Sequence, residues 1–261
     1  MKPLVQIQSR DNPLLKSLRQ LARNNTAYRS QNRVWVEGDH LARAAISRGV
    51  RPALLVLAQS SGSQLVDQWR QQVGQVVLVP EPLLSELSTL ESPTPLGFVI
   101  DLPVPKPLAA DCATVILDRL QDAGNVGAIL RSASAFGFTQ VIALKGSAAL
   151  WSPKVVRAGM GAHWGLSLHE GLSPQGLEAL RLPMLVTSSH QGADLHQLAA
   201  QSALPMPCAW VFGHEGQGVS AELRARASKH IRIAQPGGEE SLNVSSAAAI
   251  CLHASATQSV S

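Results

Sequence analysis

The chain has 261 residues, 45% hydrophobic and 15% charged, enough to bury one large core or two modest ones. No apolar run approaches the roughly 20 residues that a membrane-spanning helix needs. Cys112, Cys208 and Cys251 fall in no CxxC pair, which argues against a structural zinc site or a disulfide framework. Met1-Lys2-Pro3-Leu4-Val5-Gln6 lacks the apolar stretch of a secretory signal, so the expected location is a reducing cytoplasm. The net charge is +4, but residues 1–51 hold ten Lys/Arg against three acids, a balance of +7 that leaves −3 for the rest. A basic head on a slightly acidic body suggests a polyanionic partner, although a solvated helix face would read the same way.

Asp11-Asn12-Pro13 reads as a turn and helix start, followed by Leu14, Leu15, Leu18 and Leu21 at helical spacing with basic residues between them. Val34-Trp35-Val36 is a short strand, and Asp39 or His40 opens a helix through Ile46. Residues 54–57 and 76–79 read as strands, with a helical stretch through Trp69 between them. Pro80-Glu81-Pro82 starts another short helix. The first hundred residues thus form a small α/β unit. Residues 101–111 hold three prolines and make the best linker.

After the linker the chain alternates. Strands are expected at 115–117, 140–144, 184–187, 209–212 and 231–233. Helices are expected at 125–136, 154–160, 220–227 and 245–257. Alternation of this kind argues for a parallel sheet covered by helices on both faces.

Three segments could carry chemistry. In Asp122-Ala123-Gly124-Asn125-Val126-Gly127, a polar loop leads into a helix on which Asn125 caps the end or acts, with Arg131 two turns in among small residues. Phe212-Gly213-His214-Glu215-Gly216-Gln217-Gly218 follows a strand and is either a backbone-lined ligand loop or a tight turn. Gly237-Gly238-Glu239-Glu240-Ser241-Leu242-Asn243-Val244-Ser245 is a flexible loop running into a helix, with more capping residues than one helix needs. Gly159-Met160-Gly161-Ala162-His163-Trp164-Gly165 imitates a nucleotide loop but follows no clear strand, so close helix packing is the better reading. The eight histidines form no metal spacing, and His190 and His196 read as loop residues.

In this order, the three segments resemble the SpoU/TrmH family of RNA ribose 2′-O-methyltransferases over about residues 113–257. Val156-Arg157-Ala158-Gly159-Met160-Gly161-Ala162 is similar to a further family segment. Ser9-Arg10-Asp11-Asn12-Pro13 and Trp35-Val36-Glu37-Gly38 resemble the family's substrate-binding extension. The resemblance implies an L30e-like RNA-binding domain at 1–100, a linker at 101–112 and a SPOUT-type α/β domain with a deep trefoil knot at 113–261. It also implies a homodimer, S-adenosylmethionine as donor and no metal, because a sulfonium already activates its methyl group.

Gly213, Gly218, Ile233, Leu242 and Val244 are the implied donor-binding positions. Asn125, Arg131, Glu215, Ser241 and Asn243 are the implied catalytic set. Arg131 is either the base or a phosphate clamp, and Asn125 orients Arg131 or the ribose. Arg10, Lys16, Arg19, Arg23 and Arg33 are expected to grip RNA, ribosomal RNA before transfer RNA. The rivals are an inactive RNA-binding assembly factor with the same fold and a SPOUT enzyme that methylates a base. The sequence departs from the family pattern at Ala123 and at Ala234-Gln235, where proline is usual.

Overall fold

The structure is a computed structural model that describes residues 4–258 apart from His190 and Glu239. The reading of His190 as a loop residue, and Glu239 in the glycine-rich strip, therefore lie outside the described residues. The chain divides into two compact units, 1–104 with 151–164, and 105–150 with 165–261.

In the first unit the elements run β1 (Leu4–Gln6), α1 (Pro13–Arg23), α2 (Ala27–Gln31), β2 (Arg33–Glu37), α3 (Asp39–Ile46), β3 (Leu54–Ala58), α4 (Gly62–Trp69), β4 (Gln75–Val79), α5 (Glu81–Ser85) and β5 (Leu96–Asp101). The second unit opens with β6 (Thr114–Asp118), α6 (Ala123–Ala135) and β7 (Gln140–Leu144). The chain then gives α7 (Pro153–Ala158) to the first unit. It continues with β8 (Ser167–Leu172), β9 (Met184–Thr187), β10 (Ala193–Asp194), α8 (Leu195–Ala200), β11 (Ala209–Gly213), α9 (Ala221–Ala225), β12 (Lys229–Arg232) and α10 (Val244–Gln258).

The first unit's sheet has the order β1-β4-β3-β5-β2, with β1, β4 and β3 parallel and β5 antiparallel to both its neighbours. Helix α1 forms as its sequence predicts. Asn12 Oδ1 accepts from Leu14 N at 2.9 Å, Pro13 supplies a preset φ, and Leu15, Leu18 and Leu21 are buried. The Gly159–Gly165 segment is packing: a Cβ on Gly161 would stand 2.4 Å from Ala44 Cβ of α3, and Gly161 has φ +88°.

Among the described residues the second unit's sheet is all-parallel, in the order β10-β12-β9-β11-β6-β7-β8. Its central strands β6, β7 and β11 are buried at every position, which is why they read as continuous apolar runs. Parallel pairing puts all their carboxyl ends on one edge. The register Gly213↔Asp118 makes β6 and β11 end side by side.

Several expectations need correction. Asn125 does not cap α6; Asp122 does, its Oδ1 accepting from Asn125 N at 2.7 Å. His196 sits in α8, and Ile233 follows β12 instead of ending it. Strands β1, β5, β8 and β10 and helices α2 and α8 were not expected.

Candidate functional site

The three segments meet at the carboxyl edge of β6 and β11. Glu215, in the loop after β11, accepts from Asp122 N at 3.1 Å, Gln121 N at 3.4 Å and Asn125 Nδ2 at 3.4 Å. Asn125 Oδ1 accepts from Asn243 Nδ2 at 3.0 Å. Asn243 is the cap of α10, its Oδ1 accepting from Ser245 N at 2.9 Å and Ser246 N at 3.3 Å. A side-chain chain, Glu215–Asn125–Asn243, therefore joins one residue from each segment. Burial raises the Glu215 pKa, but hydrogen bonds from its own backbone N–H, Asp122, Asn125 and Gln121 outweigh that and hold the carboxyl below the usual glutamate range.

The loop itself is shaped by backbone. Gly218 N donates to His214 O at 2.8 Å, and His214 Nδ1 accepts from Gly216 N at 3.0 Å and Gln217 N at 3.2 Å. The return limb lies flush on Gly213: a Cβ there would stand 2.1 Å from Val219 N. Gly218 has φ +65°, a conformation glycine adopts without cost. Gly213→Ala is thus expected to push the loop off its seat and weaken binding of any ligand held by this backbone by about tenfold or more. Titration calorimetry checks this, and unchanged affinity would refute it.

Arg131 is exposed on α6 and has no hydrogen-bond or ion-pair partner among the described residues. Six residues separate it from Asn125, about 9 Å along the helix and about 120° around it. The two side chains are not paired, and Asn125 instead serves Glu215 and Asn243. Ser241 is exposed and makes no hydrogen bond among the described residues. Leu242 is exposed too, whereas Val244 is half-buried at the first position of α10. Ile233 and Ala234 line an apolar groove of about 520 Å³ with Phe136, Leu195, Ile250 and His253. No group of three or more His, Cys, Asp or Glu converges among the described residues.

Sequence reading missed the pair at the end of β6. Buried Asp118 accepts from Ser220 N at 2.6 Å and from Arg119 Nε at 3.0 Å, and Arg119 reaches Gln217 and Gly218. No local signal marks it, because the pairing depends on the positive φ of +61° at Arg119.

In the first unit the five nominated cations all have protein partners. Arg10 and Arg19 each lie 3.1 Å from Glu86 Oε2, and Arg23 Nη2 donates to the Glu86 carbonyl at 3.0 Å. Lys16 pairs with Asp11 at 3.1 Å and Arg33 with Asp101 at 2.7 Å. Three of these arginines, Arg10, Arg19 and Arg23, share one glutamate. Such surface pairs are worth only about 0–1 kcal/mol, so a phosphate can displace their acids.

Residues 113–253 match the SpoU rRNA Methylase family. An uncharacterized tRNA/rRNA methyltransferase of Synechocystis is 31% identical, over 96% of this chain and 93% of that protein. The 23S rRNA (guanosine(2553)-2′-O)-methyltransferase of Bacillus subtilis is 26% identical over 95% of this chain and 98% of its own. In fold, an AdoMet-bound rRNA methyltransferase from Sinorhizobium meliloti superposes with a TM-score of 0.83 at 23% identity, covering 99% of both chains.

Proposed function

Because the chain belongs to the SpoU rRNA Methylase family, we propose that it transfers a methyl group from S-adenosylmethionine to a ribose 2′-OH of RNA. The observation that carries this reading is the Glu215–Asn125–Asn243 chain, which gathers one residue from each of the three segments. Ribosomal RNA is the proposed substrate, supported by the 23S rRNA relative of Bacillus subtilis.

The site fits the donor. Gly218 gives open backbone, and Gly213 lets the return limb pack closely, at the carboxyl edge of a parallel sheet, where ligands of such folds bind. Backbone at Gly213, Gly218, Ile233, Leu242 and Val244 would hold the adenosine. The donor supplies an already activated methyl group. The chain's task is then to place the hydroxyl and ease its proton loss. Arginine is a poor base with a pKa above about 12, so the role proposed for Arg131 is a fork that clamps the phosphate next to the acceptor ribose. Asn125 and Asn243 hold the acceptor side of the site in register. Glu215 fixes them, and Ser241 adds a hydroxyl on the loop.

The same reading proposes a homodimer through the exposed groove of α8 and α10, where Ile250 is 42% exposed. A trefoil knot is proposed for the C-terminal part, supported by the way β12 enters the sheet between β9 and β10. The first unit is proposed to be the L30e-like RNA-binding domain. Cytoplasmic action is proposed because Cys112, Cys208 and Cys251 are free thiols suited to a reducing compartment.

Labelled donor and purified ribosomal RNA should yield labelled RNA with this protein, and donor binding without any transfer would favour an inactive assembly factor. Replacing Arg10, Arg19 and Arg23 together by alanine should weaken RNA binding across sequences. Each lost phosphate contact should flatten the salt dependence by about 0.7 in log–log slope on single-stranded RNA. A filter-binding series in salt measures this, and an unchanged slope would place the RNA elsewhere.

A further inference from the structure

Asp118 and Arg119 leave the end of β6 in an unusual way. Successive strand residues point to opposite faces, yet Arg119 Nε donates to Asp118 Oδ1 at 3.0 Å. The kink at Arg119, φ +61°, is what brings the two side chains together. A non-glycine residue in this region costs energy and is kept only where its surroundings hold it. Here they do. Nη1 donates to Gln217 Oε1 at 2.9 Å and Nη2 to the Gly218 carbonyl at 3.4 Å. The other Asp118 oxygen takes Ser220 N at 2.6 Å, and the Asp118 side chain is 3% exposed. The turn at Gly146 passes so close that a Cβ there would lie 3.3 Å from Arg119 Cγ.

Loop 214–218 is therefore laced from two sides. Glu215 ties it to the start of α6. Arg119 ties its far limb, Gln217 and Gly218, to the end of β6. We propose that Arg119 is a positioning residue for the methyl donor, holding the far limb so that the backbone at Gly213 and Gly218 keeps the spacing the donor requires. The inference rests on the methyltransferase reading of the site.

The test separates donor from acceptor effects. In Arg119→Ala the donor KM and calorimetric Kd should rise about tenfold, the scale of one charge-assisted hydrogen bond. The kcat at saturating donor and the RNA KM should stay at wild-type values, while the melting temperature falls because the buried Asp118 carboxylate loses its cation. Arg119→Lys, which keeps a cation but loses the fork, should fall between. Gln217→Ala removes one contact from the loop side without touching β6, and should raise the donor KM in the same direction. It serves as the reference should Arg119→Ala fail to fold. A donor KM unchanged in both variants, or a loss confined to kcat, would overturn the proposal while leaving the methyltransferase reading intact. A wild-type protein that neither binds donor nor transfers methyl would remove both.

Discussion

Arg131→Ala is expected to lower methyl transfer by about 10²- to 10³-fold, the scale of losing one positioned charged donor at a reacting centre, with the melting temperature unchanged. The two halves of this expectation have separate physical grounds. Arg131 is exposed on α6 and bonds to nothing among the described residues, so its loss breaks no contact of the fold. Alanine is also the better helix former. A guanidinium left without a protein partner on a helix otherwise rich in small residues is available to a substrate phosphate. Arg131→Lys keeps the charge and loses the planar fork, so it should recover only part of the rate. Single-turnover assays at saturating donor and RNA separate this loss from weakened binding. A variant with wild-type turnover would exclude Arg131 from the chemistry.

Glu215→Ala should cost about 10²-fold in kcat/KM, the scale of a misplacement of about 1 Å at a reacting centre. One carboxylate holds Gln121, Asp122 and Asn125, and Asn125 holds Asn243. Removing it frees the near limb of the loop from the start of α6 and leaves Asn125 held by Asn243 alone. Its titration gives a second signature. The folded protein holds the Glu215 pKa below its ordinary value of 4.5. A depressed folded pKa contributes stability that is present above the unfolded value and is lost as pH falls through the folded one. Wild-type thermal stability should therefore decline more steeply than that of Glu215→Gln as the pH drops below about 4.5. Parallel profiles for the two proteins would contradict the assigned hydrogen bonds.

The parts legible in the sequence were those set by local rules. Asn12-Pro13 and the leucine spacing fixed α1, and the apolar runs at 140–144 and 184–187 coincide with β7 and β9. Strand β8 was not legible because Ser167, His169 and Glu170 break its apolar pattern at the sheet edge. The two-residue β10 is too short to show a period. Within the site, the ordered segments named Asn125, Glu215 and Asn243, but not their bonds, because 90 and 118 residues separate Asn125 from its two partners. Asn125 read as a cap because it stands near a helix start. Asp122 wins that place, its carboxylate lying within reach of the free N–H of Asn125, which leaves the Asn125 side chain available to Glu215 and Asn243. Arg119 stayed hidden because its role depends on a left-handed turn that nothing in an Asp-Arg pair announces.

The most direct test is nucleoside mass spectrometry of ribosomal RNA after incubation with purified protein and isotopically methyl-labelled donor. The account predicts labelled 2′-O-methyl nucleosides with the wild-type chain and, at equal incubation, about a hundredth as much or less with Arg131→Ala. Label found on a base, or ribose label undiminished in the variant, would contradict it.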